Sequence, residues 1–279
     1  NIHKQILRRI IAMATAPFIG RKVELADLRL QARKRTSSLI VVKGRRRIGK
    51  SRLIEEFGKN AKFYSFSGLP PSDKSTKQSQ LDEFASQLGL VLGIPGIKGD
   101  DWNVLLFLLA KHTQKGKIII LLDEISWIGS KDPDFLGKLK NAWDLHFKKN
   151  PQLVMIICGS ATTWIEKNIL SSTGFMGRVS YTLSLDELPL NDCNHFWESS
   201  GSKFSAYDKF KILAVTGGIP RYLEEIQPQL PSEENIRNLC FKKGGVLVNE
   251  FNNIFSDLFG KRSEKYKQIV RFLVQGHLE

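Results

Sequence analysis

VVKGRRRIGKSRL, residues Val41 to Leu53, is the stretch on which the fold turns. Ahead of it and into it, Ser38 to Lys43 is apolar and β-branched, the composition of a strand buried on both faces. Behind it, Leu53, Ile54 and Phe57 share one helical face, and Gly58 offers a stop. Between them lies Gly44-x-x-x-x-Gly49-Lys50-Ser51. A glycine-spaced loop between a strand and a helix has the context required of a phosphate cradle. Gly44 and Gly49 permit backbone angles that other residues resist, and the helix N-terminus presents free N–H groups to an anion. Lys50 is then placed for the outer phosphates and Ser51 for a magnesium ion. The whole run, Gly44, Arg45, Arg46, Arg47, Ile48, Gly49, Lys50, Ser51 and Arg52, is the candidate nucleotide-binding segment. Backbone groups suffice to hold phosphate. The three arginine side chains are therefore expected to point away, onto carboxylates of a neighbouring domain or onto a polyanion.

A phosphate loop needs an acidic partner at the end of a nearby strand. Ile118 to Glu124 reads as five apolar residues followed by two carboxylates. Asp123 fits a magnesium ligand acting through water, and Glu124 a general base that polarises the attacking water. Ligands of parallel sheets bind at the carboxyl ends of the strands, which makes the two motifs mutually supporting.

The chain has 279 residues and 42% apolar composition, enough for one large or two modest domains with a full core. No apolar run approaches a membrane span. The N-terminal residues carry basic charge and an Ala-x-Ala, but their apolar stretch is too short for a signal peptide. Ile2, Ile6, Leu7 and Ile10 suggest a docking helix instead. Cys158, Cys193 and Cys240 lack metal-ligand spacing and fit a reducing cytoplasm. The net charge of +14 and pI near 9.7 favour a polyanionic partner.

Further strands are expected at 62–67, 153–158 and 179–183. Helices are expected around Leu81 to Leu88, over 102–110, and from an Asp132-Pro133 start. Residues 68–80 read as a polar loop. From about residue 188 strands cease, and helices are expected at 190–199, 206–215, 220–226 and 232–241. The alternation predicts an α/β fold with a parallel central sheet followed by a small helical unit. The divisions are an N-terminal extension (1–17), the α/β domain (18–187), the helical domain (188–260), and the start of another helical module (261–279).

Phe18-Ile19-Gly20-Arg21 with Glu24-Leu25, then Gly44 to Ser51, Leu121 to Glu124, Cys158-Gly159-Ser160, Gly177-Arg178, and Thr216 to Tyr222 occur in that order. The ordered set resembles the archaeal-type P-loop ATPases of the AAA+/STAND superfamily over residues 18 to about 260. The resemblance implies an ATP- and Mg²⁺-binding core, a helical lid and often a C-terminal winged helix. It assigns Phe18, Ile19, Gly20 and Arg21 to one wall of the adenine pocket, and Pro220 to a lid contact with the base. It makes Ser160 a polar sensor near the γ-phosphate, though a serine there could equally cap a helix over 161–167. It makes Arg178 a γ-phosphate arginine, acting in its own chain or across a subunit boundary of a nucleotide-dependent homo-oligomer. The plainer reading of Arg178 is a surface residue opening a strand.

Three functions follow: an ATP-hydrolysing molecular switch, an ATP-gated DNA-binding protein, or a nucleotide-binding scaffold with little turnover. The candidate partners are ATP and either nucleic acid or an acidic protein. GTP is disfavoured because no Asn-Lys-x-Asp base-reading motif is present.

Overall fold

The computed structural model describes residues 17–70, 72, 75–198, 201, 204–248, 250, 254–255 and 262–276. The expected docking helix near the N-terminus falls outside them. Five strands form one parallel sheet: β1 (Ser38–Gly44), β2 (Lys62–Ser67), β3 (Ile118–Asp123), β4 (Leu153–Gly159) and β5 (Val179–Leu185). Their spatial order is β2-β3-β4-β1-β5, with every neighbouring pair parallel. The strand bearing the glycine loop (β1) and the strand bearing the acids (β3) are thus separated by β4.

Alternate residues of β1 enter two different cores. Leu39 and Val41 join Phe66, Leu122 and Ile157 under helices α3 (Lys77–Leu92), α4 (Trp102–Lys111) and α6 (Phe135–Leu145). Ile40 and Val42 face the other side, with α1 (Lys22–Ala32) and α2 (Lys50–Gly58) over them. Central strands buried on both faces need apolar residues at every position, as their sequences show. A four-residue turn, α5 (Ile125–Ile128), follows β3. Another, α7 (Thr162–Ile165), follows β4 and runs into a π-helical turn at Glu166–Leu170.

Two helix starts differ from the sequence reading for capping reasons, and the helix expected at 220–226 stops at Leu223. Helix α3 begins inside the expected polar loop, because Thr76 and Ser79 form a reciprocal capping box ahead of the first apolar residue. Helix α6 begins at Phe135 rather than at Asp132-Pro133. Asp132 accepts from the Asp134 N–H and pairs with Lys77, so it caps the preceding turn.

Beyond β5 the described residues contain no strand. They form α8 (Leu190–Glu198), α9 (Ala206–Thr216), α10 (Pro220–Leu223), α11 (Ser232–Cys240) and α12 (Ser263–Val274). A third cluster, with Cys193, Trp197, Ile212 and Leu239, is their own core. Val246 and Leu247 pack against both this cluster and the α1/α2 side of the sheet. Among the described residues no helix is long and apolar enough to cross a membrane.

Candidate nucleotide site

The loop after β1 is shaped from within. Gly44 has φ +152, and a Cβ there would stand 2.6 Å from the Leu185 carbonyl oxygen; Gly49 has φ +91. Ile48 is fully buried beneath the loop, and its side chain anchors the loop to the core on the α1/α2 side of the sheet. Lys50, almost wholly buried, donates from Nζ to the carbonyls of Gly44 and Arg45, both at 2.9 Å. The ammonium is therefore held at the loop's mouth.

Ser51, one residue into α2, donates from Oγ to Asp123 Oδ2 at 2.6 Å. The two residues meet although β4 lies between their strands. That strand ends at Gly159, which carries no side chain, and Ser160 follows it. Asp123 Oδ1 accepts from the Glu124 N–H at 2.9 Å, which fixes the plane of the carboxylate. Glu124 has φ +48, and this left-handed turn ends β3 one residue earlier than the sequence suggests. Its carboxylate then reaches Ser160, accepting at Oε2 from the backbone N–H (3.2 Å) and from Oγ (3.1 Å). Burial raises the Glu124 pKa above its ordinary 4.5; the Ser160 donors oppose the shift and the Asp123 charge adds to it. Ser160 caps no helix, since α7 starts at Thr162 with no side-chain cap. Burial pushes the Cys158 thiol well above its usual range, consistent with an inert core residue.

Two of the three arginines meet carboxylates, and one of those carboxylates belongs to the helical unit. Arg45 pairs with Glu187 at 2.6 Å, just past β5. Arg47 pairs with Glu250 of the helical unit at 3.0 Å and lies over the Tyr222 ring. Tyr222 itself donates to Glu250 at 2.8 Å. Arg46 lies over Trp127, 5.8 Å from the ring centre, and Arg52 is 3.9 Å from Glu55 on its own helix.

Residues 18–21 lie against the loop through packing and hydrogen bonds. Phe18 packs against the α1/α2-side core. Gly20 has φ +71, and a Cβ there would lie 2.5 Å from the Asp192 carboxylate. Arg21, buried and at φ +57, donates to the carbonyls of Ile48 and Asp186 and pairs with Glu24. Its side chain thus ties the loop to the end of β5. Pro220 opens α10 with its ring 3.7 Å from where a Gly49 Cβ would be. A cavity of about 350 Å³ lies between Arg45 and the helical unit, bordered by Thr216, Ile219 and Tyr222. Among the described residues, the non-glycine positions with positive φ are Arg21, Arg47 and Glu124. All three are here, and strained backbone concentrates where geometry is over-determined by function.

Arg178 requires a correction. It sits at the N-terminal end of β5, next to Val179, which pairs with Leu39 at the start of β1. The glycine loop is at the other end of that strand, roughly 17–20 Å away at the strand rise. There Arg178 holds Asp144 through Nε and Nη2. A γ-phosphate contact within its own chain is excluded by that position.

The ATPase domain family described as predominantly from Archaea matches residues 18–226. The chain belongs to this family. An uncharacterised protein of Methanocaldococcus jannaschii is 26% identical over 211 residues, covering 75% of this chain and 44% of the relative. The chain thus spans less than half of that relative's length. Among solved structures, a Walker-type ATPase of Pyrococcus abyssi superposes with a TM-score of 0.64 at 14% identity, covering 91% of this chain and 77% of the other. The ORC2 protein of Aeropyrum pernix, in ADPNP–ADP complexes, gives 0.53 at 15% identity, with 74% and 60% covered. The Cdc6 protein of Pyrobaculum aerophilum gives 0.51 at 15%, with 77% and 63% covered. The family is that of P-loop ATPases, which implies nucleotide binding by this domain.

Proposed function

We propose that the chain is a Mg²⁺-dependent ATP-hydrolysing switch of the AAA+/STAND type, working in the cytoplasm. The observation that carries the reading is the continuous chain Ser51–Asp123–Glu124–Ser160, set beside the Lys50-bearing loop at the carboxyl ends of β1, β3 and β4. The Lys50 ammonium exchanges its two loop carbonyls for the outer phosphate oxygens of ATP. A hydroxyl and a carboxylate oxygen 2.6 Å apart are the hard donors that Mg²⁺ takes, with phosphate and water completing its shell. Ser51 and Asp123 would hold the ion, which neutralises charge on the β- and γ-phosphates when bound.

Glu124 accepts a proton from the water whose oxygen bonds to the γ-phosphorus. The bond from phosphorus to the bridging oxygen breaks, and the electron pair leaves with ADP. Ser160 orients the Glu124 carboxylate until the water arrives. Arg45 and Arg47 link the loop to Glu187 and to the helical unit, so a change in loop shape on γ-phosphate loss is passed to α10 and Glu250. Pro220 and the 18–21 segment flank the loop from both sides and are the candidate base contacts.

The test is Glu124→Gln. It is expected to keep ATP bound while slowing phosphate release by roughly 10²–10⁴-fold, the usual worth of a general base. A variant that turns over at the wild-type rate refutes the assignment. ATP that fails to bind wild-type protein in a Mg²⁺-containing titration refutes the whole reading.

A further inference from the structure

The five stretches that lead into the strands all lie along one edge of the parallel sheet, opposite the nucleotide loop. They are residues 33–37, 59–61, 111–117, 146–152 and 171–178. Together they hold ten lysines and arginines and not one Asp or Glu. The whole chain has a net charge of +14, so this edge accounts for most of it. Arg33, Lys34, Arg35, Lys59, Lys111, Lys115, Lys117, Lys148 and Lys149 are exposed there.

Two carboxylates on the adjoining helices pair with cations of this edge. Asp144, with a pKa lowered to about 2, is shared by Arg178, Lys140 and Lys148. Glu56 pairs with Lys59. Among the described residues, no ion pair joins Arg33, Arg35, Lys115, Lys117 or Lys149.

We infer that this edge docks a nucleic-acid phosphate backbone, independently of the ATP site. Neighbouring strands are about 4.8 Å apart, so five of them present a cationic edge roughly 19 Å across. Thr36, Asn60, Gln114, Gln152, Ser171 and Thr173 are exposed between the cations, and hydroxyl and amide donors of this kind contact phosphate and sugar without reading sequence. An acidic protein partner fits less well. Protein interfaces are poor in lysine and rely on aromatic anchors, whereas Phe147 and Phe175 of this edge are buried and its exposed large apolar side chain is Met176.

The experiment is fluorescence anisotropy with the full chain and a labelled duplex DNA of about 25 base pairs, titrated across salt concentrations. Five unpaired cations predict a log–log salt slope near −4.5. Lys115→Ala/Lys117→Ala/Lys149→Ala is expected to flatten the slope by about 2.7 and to weaken binding at low salt by roughly tenfold or more. Lys209→Ala/Lys242→Ala/Lys243→Ala removes equal charge from the helical unit and is expected to bind as wild type. Circular dichroism and ATP affinity check that both variants fold, and phosphate release reports separately on the ATP site. Equal weakening by the two triple variants, or a slope unchanged in the first, overturns the proposal. So does absence of DNA binding with retention of poly-glutamate (an acidic protein partner), or a charge-dependent dimer seen by sedimentation without DNA binding (a second copy).

Discussion

Arg47→Ala tests whether the arginine run is a mechanical link or surface charge. Glu250 is 5% exposed and Arg47 26% exposed, and their 3.0 Å contact is supported by the Tyr222 hydroxyl on the same carboxylate. Removing one partner of a fully buried pair costs about 3–5 kcal/mol, because the remaining charge loses its counterion without regaining water. Water reaches a quarter of the Arg47 side chain, and Tyr222 still donates in the variant, which brings the expectation down to about 2–3 kcal/mol. Alanine keeps the left-handed backbone of position 47 as strained as arginine does, so the comparison isolates the guanidinium. Glu250→Gln removes the charge from the other side and retains an acceptor for Tyr222, at an expected cost of about 1 kcal/mol. With both changes no uncompensated charge remains. The double variant should then be no less stable than Arg47→Ala, giving a coupling of at least about 1 kcal/mol. Urea unfolding followed by tryptophan fluorescence measures all four proteins. Single effects that add within about 0.5 kcal/mol would show that the pair is a screened surface contact and carries nothing between the loop and the helical unit.

Lys50→Ala is expected to abolish tight Mg-ATP binding, since the ammonium is the point charge on the outer phosphates; unchanged affinity by calorimetry would exclude this site. Glu124 must be ionised to accept a proton and burial raises its pKa, so hydrolysis should fall on the acid side at a midpoint above 4.5. Ser160→Ala removes the hydroxyl that opposes the shift and should move that midpoint further up in a pH–rate profile; an unmoved midpoint would detach Ser160 from the base. Arg178→Ala should leave ATP affinity and rate in place and lower Tm by a few degrees. Asp144, depressed from 3.8 to about 2, contributes stability that is present above 3.8 and lost as pH falls toward 2, so the variant's deficit should shrink over that window. Lost hydrolysis restored by mixing with Lys50→Ala protein would instead assign Arg178 to a neighbouring subunit's site. Gly44→Ala should destabilise by more than about 1 kcal/mol, because the methyl meets the Leu185 carbonyl at a φ that L-residues avoid.

The strands were legible because central parallel strands are written as unbroken apolar runs, and each of the five is found within two residues of its expected end. The Lys50, Ser51, Asp123 and Glu124 group was legible for a related reason: both motifs terminate such runs, and the fold gathers strand ends. What escaped is what depends on pairing between distant segments. The Glu250 and Glu187 carboxylates stand more than a hundred residues from the arginines they hold, and nothing local to them marks the match. The Arg21 side chain likewise reaches the Ile48 and Asp186 carbonyls, 27 and 165 residues away, and nothing local to it marks those partners. Arg178 was misplaced for the converse reason. Its glycine neighbour and strand edge were read correctly, but the sequence alone does not say which end of the sheet a strand's first residue faces.

The interposition of β4 between β1 and β3 bears on how the protein folds and how it is kept folded. The Ser51–Asp123 contact spans 72 residues of chain and exists only once β4 is seated between its neighbours. No hairpin or isolated strand–helix–strand fragment contains both halves of the site. Nucleotide is then recognised late, after the slow long-range pairings have formed. A ligand that meets only the finished state cannot hasten its formation; it holds back the exit from it, slowing unfolding while leaving the refolding rate untouched. At cellular ATP levels well above the dissociation constant, occupancy would act as a ratchet on the completed sheet.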